Sequence, residues 1–340
     1  MTAPLGAGVI GLGVGERHAH AYVDNENCRL VGVCDFDPAK LTDVATRLPP
    51  VRQYATAEDL IDDPAIAIVS IASFDQHHHR QVIRALETGK HVFVEKPLCL
   101  TMTELDDIRT AWRRAGNLRL STNTILRRTP RFQWLRQAIQ SGEMGKVFCI
   151  EADYVYGRLH KLTEGWRKDV PNYSVILGGG IHLVDLVLWM TGQKPVEIMA
   201  YGSSLASRDT AYSGNDLALA LLRFDNGMLV KLGANFGSVH PHFHRLIVYG
   251  TSATFENAAE APGLPARLWT SRDPNTPPRL VEASYPGVGK GDMIPAFIEA
   301  TLGRGEPEVS EDDLFTTMTV CLAIDQAIAE GRPVTPEYNP

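Results

Sequence analysis

With 340 residues, 44% hydrophobic and 21% charged, the chain has the composition of an ordinary globular protein, and it is longer than one hydrophobic core usually organises. Forty acidic against 33 basic residues leave a net charge of −7, spread along the chain, which argues against a nucleic-acid partner and against an acidic binding tail. Cys28, Cys34, Cys99, Cys149 and Cys321 are widely spaced and lack a C-x-x-C pair, which excludes a disulfide framework and a zinc ribbon. A reducing, cytoplasmic compartment is expected: no basic leader precedes the first apolar stretch, and no apolar run approaches the roughly 20 residues that cross a bilayer.

Over the first 121 residues short apolar runs alternate with helical patterns. Residues 8–11 (extending back to Leu5), 30–34, 66–72 and 91–94 read as strands buried on both faces. Asp37-Pro38 places an N-cap before a proline at the first helical position. Residues 76–88 carry Val82, Ile83 and Leu86 on one face and stop at Gly89, and Thr101-Met102-Thr103-Glu104 is a capping box for a helix ending near Gly116. This repetition predicts an α/β domain with a doubly wound parallel sheet over 1–121. From 122 to 340 the pattern changes to a second, α+β domain. Residues 146–156, 195–203, 216–224 and 228–236 read as strands, the last two joined at Asp225-Asn226-Gly227 as a hairpin. Shorter strands follow at 245–249 and 253–257, a helix lies at 180–190, residues 258–291 read as a proline- and glycine-rich loop, and 312–330 as a closing helix. Hairpins instead of crossovers predict a large, mostly antiparallel open sheet.

Gly11-x-Gly13-x-Gly15 follows the first strand directly and precedes residues 18–22, which look helical. Glycines suit a tight turn and a close backbone approach to a pyrophosphate, whose charge then sits at a helix N-terminus. The third glycine arrives one residue early relative to G-x-G-x-x-G, with Glu16 at the usual position. Asp35, about 22 residues on and at the end of the second strand, suits the ribose hydroxyls and repels a 2′-phosphate. Phe36 follows it, with no arginine or serine to receive that phosphate, so NAD is expected over NADP. The expected cofactor set is Gly11, Gly13, Val14, Gly15, Asp35, Ser73, Asp75, His78, Glu95 and Lys96.

The chain resembles the glucose–fructose oxidoreductase/inositol dehydrogenase/MocA (Gfo/Idh/MocA) family. The likeness lies in GVIGLGVGERHAHAY, ALETGKHVFVEKPL, the segment from IHLVD to WMTG, and the closing AFIEATLGRGEPEVSEDD…AIAEGRPV, from residue 8 to 334. It implies a Rossmann domain, a second domain built on an open sheet, dimers or tetramers through that sheet, and NAD(P)-dependent chemistry on sugars, inositols and related polyols. It also implies that Lys96 lies beside the nicotinamide and the substrate hydroxyl, that His182 is the catalytic histidine, and that the loop with Asp75 and His78 flanks the nicotinamide ribose. Many members carry aspartate four residues before that histidine; here the position is Gly178.

Oxidising a secondary alcohol needs a hydride acceptor, a base for the hydroxyl proton and a positive group for the developing alkoxide. NAD, His182 and Lys96 fit these roles. Asp185, three residues after His182 and on the same helix face, either orients the imidazole or binds a substrate hydroxyl, or is a buried structural acid. Tyr154, Tyr156, Arg158, His160, Trp166 and Arg167 gather aromatic and guanidinium groups suited to a sugar. The expected substrate set is Lys96, Arg127, Tyr156, Arg158, Trp166, Arg167 and His182, with Arg127 and Arg128 open between ion pairing and anion contact. No metal is expected: His77-His78-His79 point different ways on a helix, and His240, His242 and His244, alternating along a strand face, suit a pocket or interface better than zinc. The expected activity is hydride transfer at a sugar or cyclitol alcohol. The alternatives are an NAD-dependent glycosidase working by transient oxidation and a non-catalytic NAD or sugar sensor. Partners are limited to a small carbohydrate and further copies of the chain, with neither nucleic acid nor membrane.

Overall fold

The computed structural model describes residues 3–170, 173–257 and 263–339. The chain forms two compact units, one of Met1–Ile125 with Gly289–Met318, the other of Leu126–Val288 with Thr319–Pro340.

In the first unit, β1 (Leu5–Ile10), α1 (Gly15–Val23), β2 (Cys28–Cys34), α2 (Pro38–Thr46), β3 (Arg52–Tyr54), α3 (Ala57–Asp62), β4 (Ile68–Ile71), α4 (Asp75–Glu87), β5 (His91–Val94), α5 (Met102–Ala115) and β6 (Leu120–Thr122) follow in turn. The six strands lie in the order β3-β2-β1-β4-β5-β6 and every pair is parallel. This is the doubly wound arrangement, whose crevice opens at the carboxyl ends of the strands where the order reverses, at β1 and β4. Val9, Val33, Ile68, Val69, Val92 and Phe93 are buried because crossover helices cover both faces. The predicted caps form: Asp37 accepts from the Ala39 and Lys40 amides, and Thr101 and Glu104 close a reciprocal capping box. Helix α1 starts at Gly15, three residues before its predicted beginning, and β3 and α3 are additions to the predicted elements.

The second unit holds α6 (Pro130–Gln140), β7 (Val147–Val155), α7 (His160–Thr163), α8 (Ile181–Thr191), β8 (Pro195–Ser203), β9 (Leu217–Phe224), β10 (Leu229–Asn235), β11 (Phe243–Gly250), β12 (Thr254–Asn257), β13 (Ala266–Trp269) and β14 (Arg279–Val281). Its eight strands run β14-β13-β12-β11-β7-β10-β9-β8; only β7 and β10 pair in parallel. The reading of 258–291 as loop is corrected here. β13 and β14 extend the sheet, their ladder supplying what three- and four-residue strands lack in local pattern, while 258–262 lie outside the described residues. Strand β9 alternates, with Ala218, Ala220, Leu222 and Phe224 buried and Leu219 and Leu221 exposed. Apart from Trp189 and Thr191, α8 is buried along its whole length, as an apolar helix must be. α9 (Ile294–Thr301) belongs to the first unit; α10 (Glu311–Glu330) is shared, dividing after Met318. No helix of the described residues is long and apolar enough to cross a membrane.

Candidate active site

In the first unit the expected cofactor residues gather at the carboxyl ends of the parallel strands. The three glycines after β1 have different physical reasons. Gly11 has φ +83°, and a Cβ there would stand 2.3 Å from the Ala72 carbonyl oxygen, so the chain can turn only without a side chain. A Cβ on Gly13 would meet nothing nearer than Lys40 Nζ at 3.5 Å, which leaves this side of the turn open to a ligand. A Cβ on Gly15 would press on Val9 and Ala72, the price of packing α1 tightly on the sheet. With Val14 as its N-cap, α1 presents its first amides to the same space.

Asp35 is buried and holds this turn: Oδ2 accepts from the Leu12 amide at 2.6 Å and Oδ1 from the Asp37 amide at 3.0 Å. Asp37 fills the α2 cap, so Asp35 is not spent there. Lys40 Nζ lies 3.7 Å from Asp35 Oδ2. Phe36, which offers no group to receive a 2′-phosphate, is 78% exposed. Its ring lies 5.3 Å from that of Phe74, forming an aromatic edge between the ends of β2 and β4. Residues 36 and 74 come together because β2 and β4 flank β1 in the sheet.

Ser73, Asp75, His78, Glu95 and Lys96 follow β4 and β5. Ser73 donates to Gln81 Oε1 at 2.7 Å. His78 is fully buried, with Nδ1 2.6 Å from the Pro97 carbonyl and Nε2 3.1 Å from the Ser73 carbonyl, so it ties the two loops together. Asp75 opens α4 half-buried. Glu95 points into the unit and meets His18 Nε2 at 3.3 Å and Asn123 Nδ2 at 2.7 Å; His18 in turn reaches Ser70 Oγ. Burial pushes the Glu95 carboxyl up, but His18, Lys290 and Asn123 outweigh it and hold it down at about 2. Its contribution is therefore a charged brace beneath the loop, leaving the half-buried Lys96 as the cation that follows β5.

In the second unit a π-helical turn, Ile176–Gly180, runs directly into α8 and His182. π turns within helices are frequent at functional positions. The turn itself is anchored by Ser174, whose Oγ accepts from the Ile176 and Leu177 amides and donates to Asp325 at 2.9 Å. His182 is buried in an aromatic group: its ring lies 6.2 Å from Tyr154 and 6.4 Å from His244. Tyr154 also meets Tyr156 at 5.5 Å and His242 at 5.0 Å. Burial raises the Tyr154 phenol far above its usual range. His244 is held by Tyr285, whose hydroxyl receives the His244 amide at 2.9 Å and lies 2.6 Å from Nδ1; burial pushes that phenol up to about 12. The three alternating histidines do not share a strand face. Only His244 lies in β11, His242 precedes it, and His240 is exposed and turned to the Pro241 carbonyl.

Arg127 and Asp185, 58 residues apart, form a bidentate pair, Nε–Oδ2 2.9 Å and Nη2–Oδ1 2.7 Å, with side chains 1% and 0% exposed. Two equivalent fork contacts in a dry site favour the structural side of both expectations. Tyr156 lies under the exposed Arg158, at 5.0 Å. Arg167 covers Trp166 at 4.6 Å and donates from Nε to Tyr173 Oη at 2.9 Å. Tyr173 is absent from the predicted set; no periodicity marks it, and its role is visible only in space. A Cβ on Gly178 would stand 2.0 Å from its hydroxyl, and one on Gly179 2.3 Å from the Tyr154 ring.

The family model described as an oxidoreductase family with an NAD-binding Rossmann fold (GFO_IDH_MocA) matches residues 5–124, and that of the GFO/IDH/MocA C-terminal domain matches 132–256. Myo-inositol 2-dehydrogenase of Thermotoga maritima is 28% identical over 252 residues, 72% of either chain. 1,5-Anhydro-D-fructose reductase of Ensifer adhaerens is 25% identical over 83% of either chain. Levoglucosan dehydrogenase, solved in complex with NADH and L-sorbose, matches in fold with a TM-score of 0.86 at 20% identity, covering 99% of this chain and 100% of its own.

Proposed function

The chain belongs to the Gfo/Idh/MocA family of oxidoreductases with an NAD-binding Rossmann fold, and on that premise we propose that it transfers a hydride between NAD and a secondary alcohol, or the matching ketone, of a sugar, sugar derivative or cyclitol. The observation that carries this reading is the gathering, at the carboxyl ends of one parallel sheet, of the open Gly13 turn, the Asp35 carboxylate and Lys96. The same residues fit the cofactor. The α1 amides and Gly13 suit a pyrophosphate, Asp35 suits ribose hydroxyls, and the Phe36–Phe74 edge suits an adenine face.

When bound, NAD supplies the hydride acceptor. His182 takes the hydroxyl proton, and the Lys96 ammonium stabilises the developing alkoxide. Asp185 acts through structure: clamped to Arg127, it fixes α8, which carries His182. Tyr156, Arg158, Trp166 and Arg167 supply stacking faces and donors for the ring and its substituents.

The remaining parts of the proposal concern organisation. The expected division into 1–121 and 122–340 is refined accordingly: Met1–Ile125 with Gly289–Met318 is the cofactor domain, and Leu126–Val288 with Thr319–Pro340 the substrate and oligomerisation domain. Tyr201, Leu219, Leu221 and Leu229 stand exposed on one face of the second sheet, which supports a homodimer or homotetramer through it. Five cysteines present as thiols accord with a cytoplasmic setting.

The test is NADH formation across free sugars, inositols and sugar nucleotides, with Lys96→Met alongside. Turnover by the native chain that drops by about 10²–10⁴-fold in the variant is the expected result. NAD binding without any turnover would overturn it in favour of redox-cycling glycosidase chemistry or a sensor.

A further inference from the structure

The open side of the turn between β1 and α1 is bordered by a cation. Lys40 Nζ is the atom nearest to where a Cβ on Gly13 would stand, at 3.5 Å, and it lies 3.7 Å from Asp35 Oδ2. Its place follows from the start of α2. Asp37 caps that helix and accepts from the Lys40 amide at 3.3 Å, which fixes the backbone of residue 40 in the first turn. Helical side chains lean toward the N-terminus, so Lys40 reaches back over the cap to the end of β2. At 3.7 Å its contact with Asp35 is electrostatic, longer than a hydrogen bond, and the lysine side chain is 39% exposed. Asp35 meanwhile gives one oxygen to the Leu12 amide and the other to the Asp37 amide.

We propose that Lys40 is a specificity-determining residue for the cofactor: its ammonium receives the 2′-phosphate of an NADP-type dinucleotide, so that Asp35 and Lys40 together set how strongly NAD is preferred. This rests on the reading of the turn as a dinucleotide site. Asp35 supplies the repulsion and Lys40 the attraction, from two sides of one opening. Neighbouring donors are committed elsewhere. Phe36 has none to offer, the Ala39 and Lys40 amides are taken by Asp37, and Arg47, the next cation along the chain, is held by Glu16 and Asp43. A lysine suits the task, because a compact charge on a flexible stem can meet a phosphate without a fixed fork geometry.

The experiment titrates the full-length protein with NADH and with NADPH, following nicotinamide fluorescence, so it needs no substrate. Four proteins form a cycle: the native chain, Lys40→Met, Asp35→Ser and the double variant. Lys40→Met is expected to weaken NADPH binding by about 10- to 100-fold, in the native and in the Asp35→Ser background alike. NADH affinity should change by less than about threefold, the scale of an exposed charge, and Lys40→Arg should retain NADPH binding. A NADPH loss that vanishes once Asp35 is gone would overturn the proposal, because Lys40 would then only shield the carboxylate. Equal losses for both cofactors would overturn it too, placing the ammonium on the part they share. Each of these results leaves the dinucleotide reading standing; a native chain that binds neither cofactor would sink that reading, and the role of Lys40 with it.

Discussion

The turn from β1 into α1 and the turn from Val175 into α8 both feed glycines into a helix, Gly11-x-Gly13-x-Gly15 in one and Gly178-Gly179-Gly180 in the other. In the first, the middle glycine faces open space and the flanking two are pressed by backbone and core. In the second, the first two glycines face the rings and hydroxyl of Tyr173 and Tyr154, and the third faces Ile176 and Ala234. One turn is left open on its middle glycine; the other is filled by the protein's own aromatic side chains. A glycine count cannot separate these cases, because both demand the absence of a Cβ.

The largest effect that would break this contrast is expected at Gly11. Gly11→Ala sets a methyl against the Ala72 backbone at a φ of +83°, and should cost upward of about 4 kcal/mol in unfolding free energy. Gly13→Ala should leave stability within about 0.5 kcal/mol yet weaken NAD binding roughly tenfold or more, since its methyl enters only the open side. Denaturant unfolding beside NADH fluorescence titration separates the two. Equal stability losses at both positions would mean that Gly13 is pressed like Gly11.

Next in size is the pair that braces α8. Arg127→Met strands the buried Asp185 carboxylate and should destabilise by about 3–5 kcal/mol. If Arg127 instead served mainly to bind substrate, stability would hold and KM alone would rise.

Much of the first unit is legible in sequence because its signals are local. Strand, turn and helix lie within 20 residues at β1–α1, and Asp37-Pro38 and Thr101–Glu104 cap their own helices. The second site is far less so. Arg127 meets Asp185 across 58 residues and Ser174 meets Asp325 across 151, distances over which no periodicity speaks. β13 and β14 are too short to alternate visibly and exist through their ladder partners. The three-residue spacing of His182 and Asp185 is plain in the sequence, but only the fold shows that the carboxylate is spent on Arg127.

The carboxylates anchoring the two turns give a smaller, sharper pair of tests. Asp35→Ser should weaken NAD binding by about 10- to 100-fold through lost charge-assisted hydrogen bonds. It should also narrow the preference over NADP, because Lys40, 3.7 Å from the lost carboxylate, is left beside the site. Titration with both cofactors reads the ratio, and an unchanged ratio would remove Asp35 from cofactor choice.

At the other turn, burial pushes the Asp325 carboxyl up to about 7 from an ordinary value of 3.8, against an opposing hydrogen bond from Ser174. The fold thus favours the neutral acid. Its contribution to stability is full below about pH 4 and is lost as the pH rises through about 7, the opposite sense to Glu95, whose value of about 2 gives stability that is kept above about pH 4.5 and lost as pH falls through 2. Asp325→Asn preserves an acceptor for Ser174 and cannot ionise, so its unfolding free energy should decline less than that of the native chain between pH 5 and pH 8. Parallel profiles for the two would mean that Asp325 ionises at its ordinary value and that the glycine turn before His182 is held by a charge, as the one after β1 is held by Asp35.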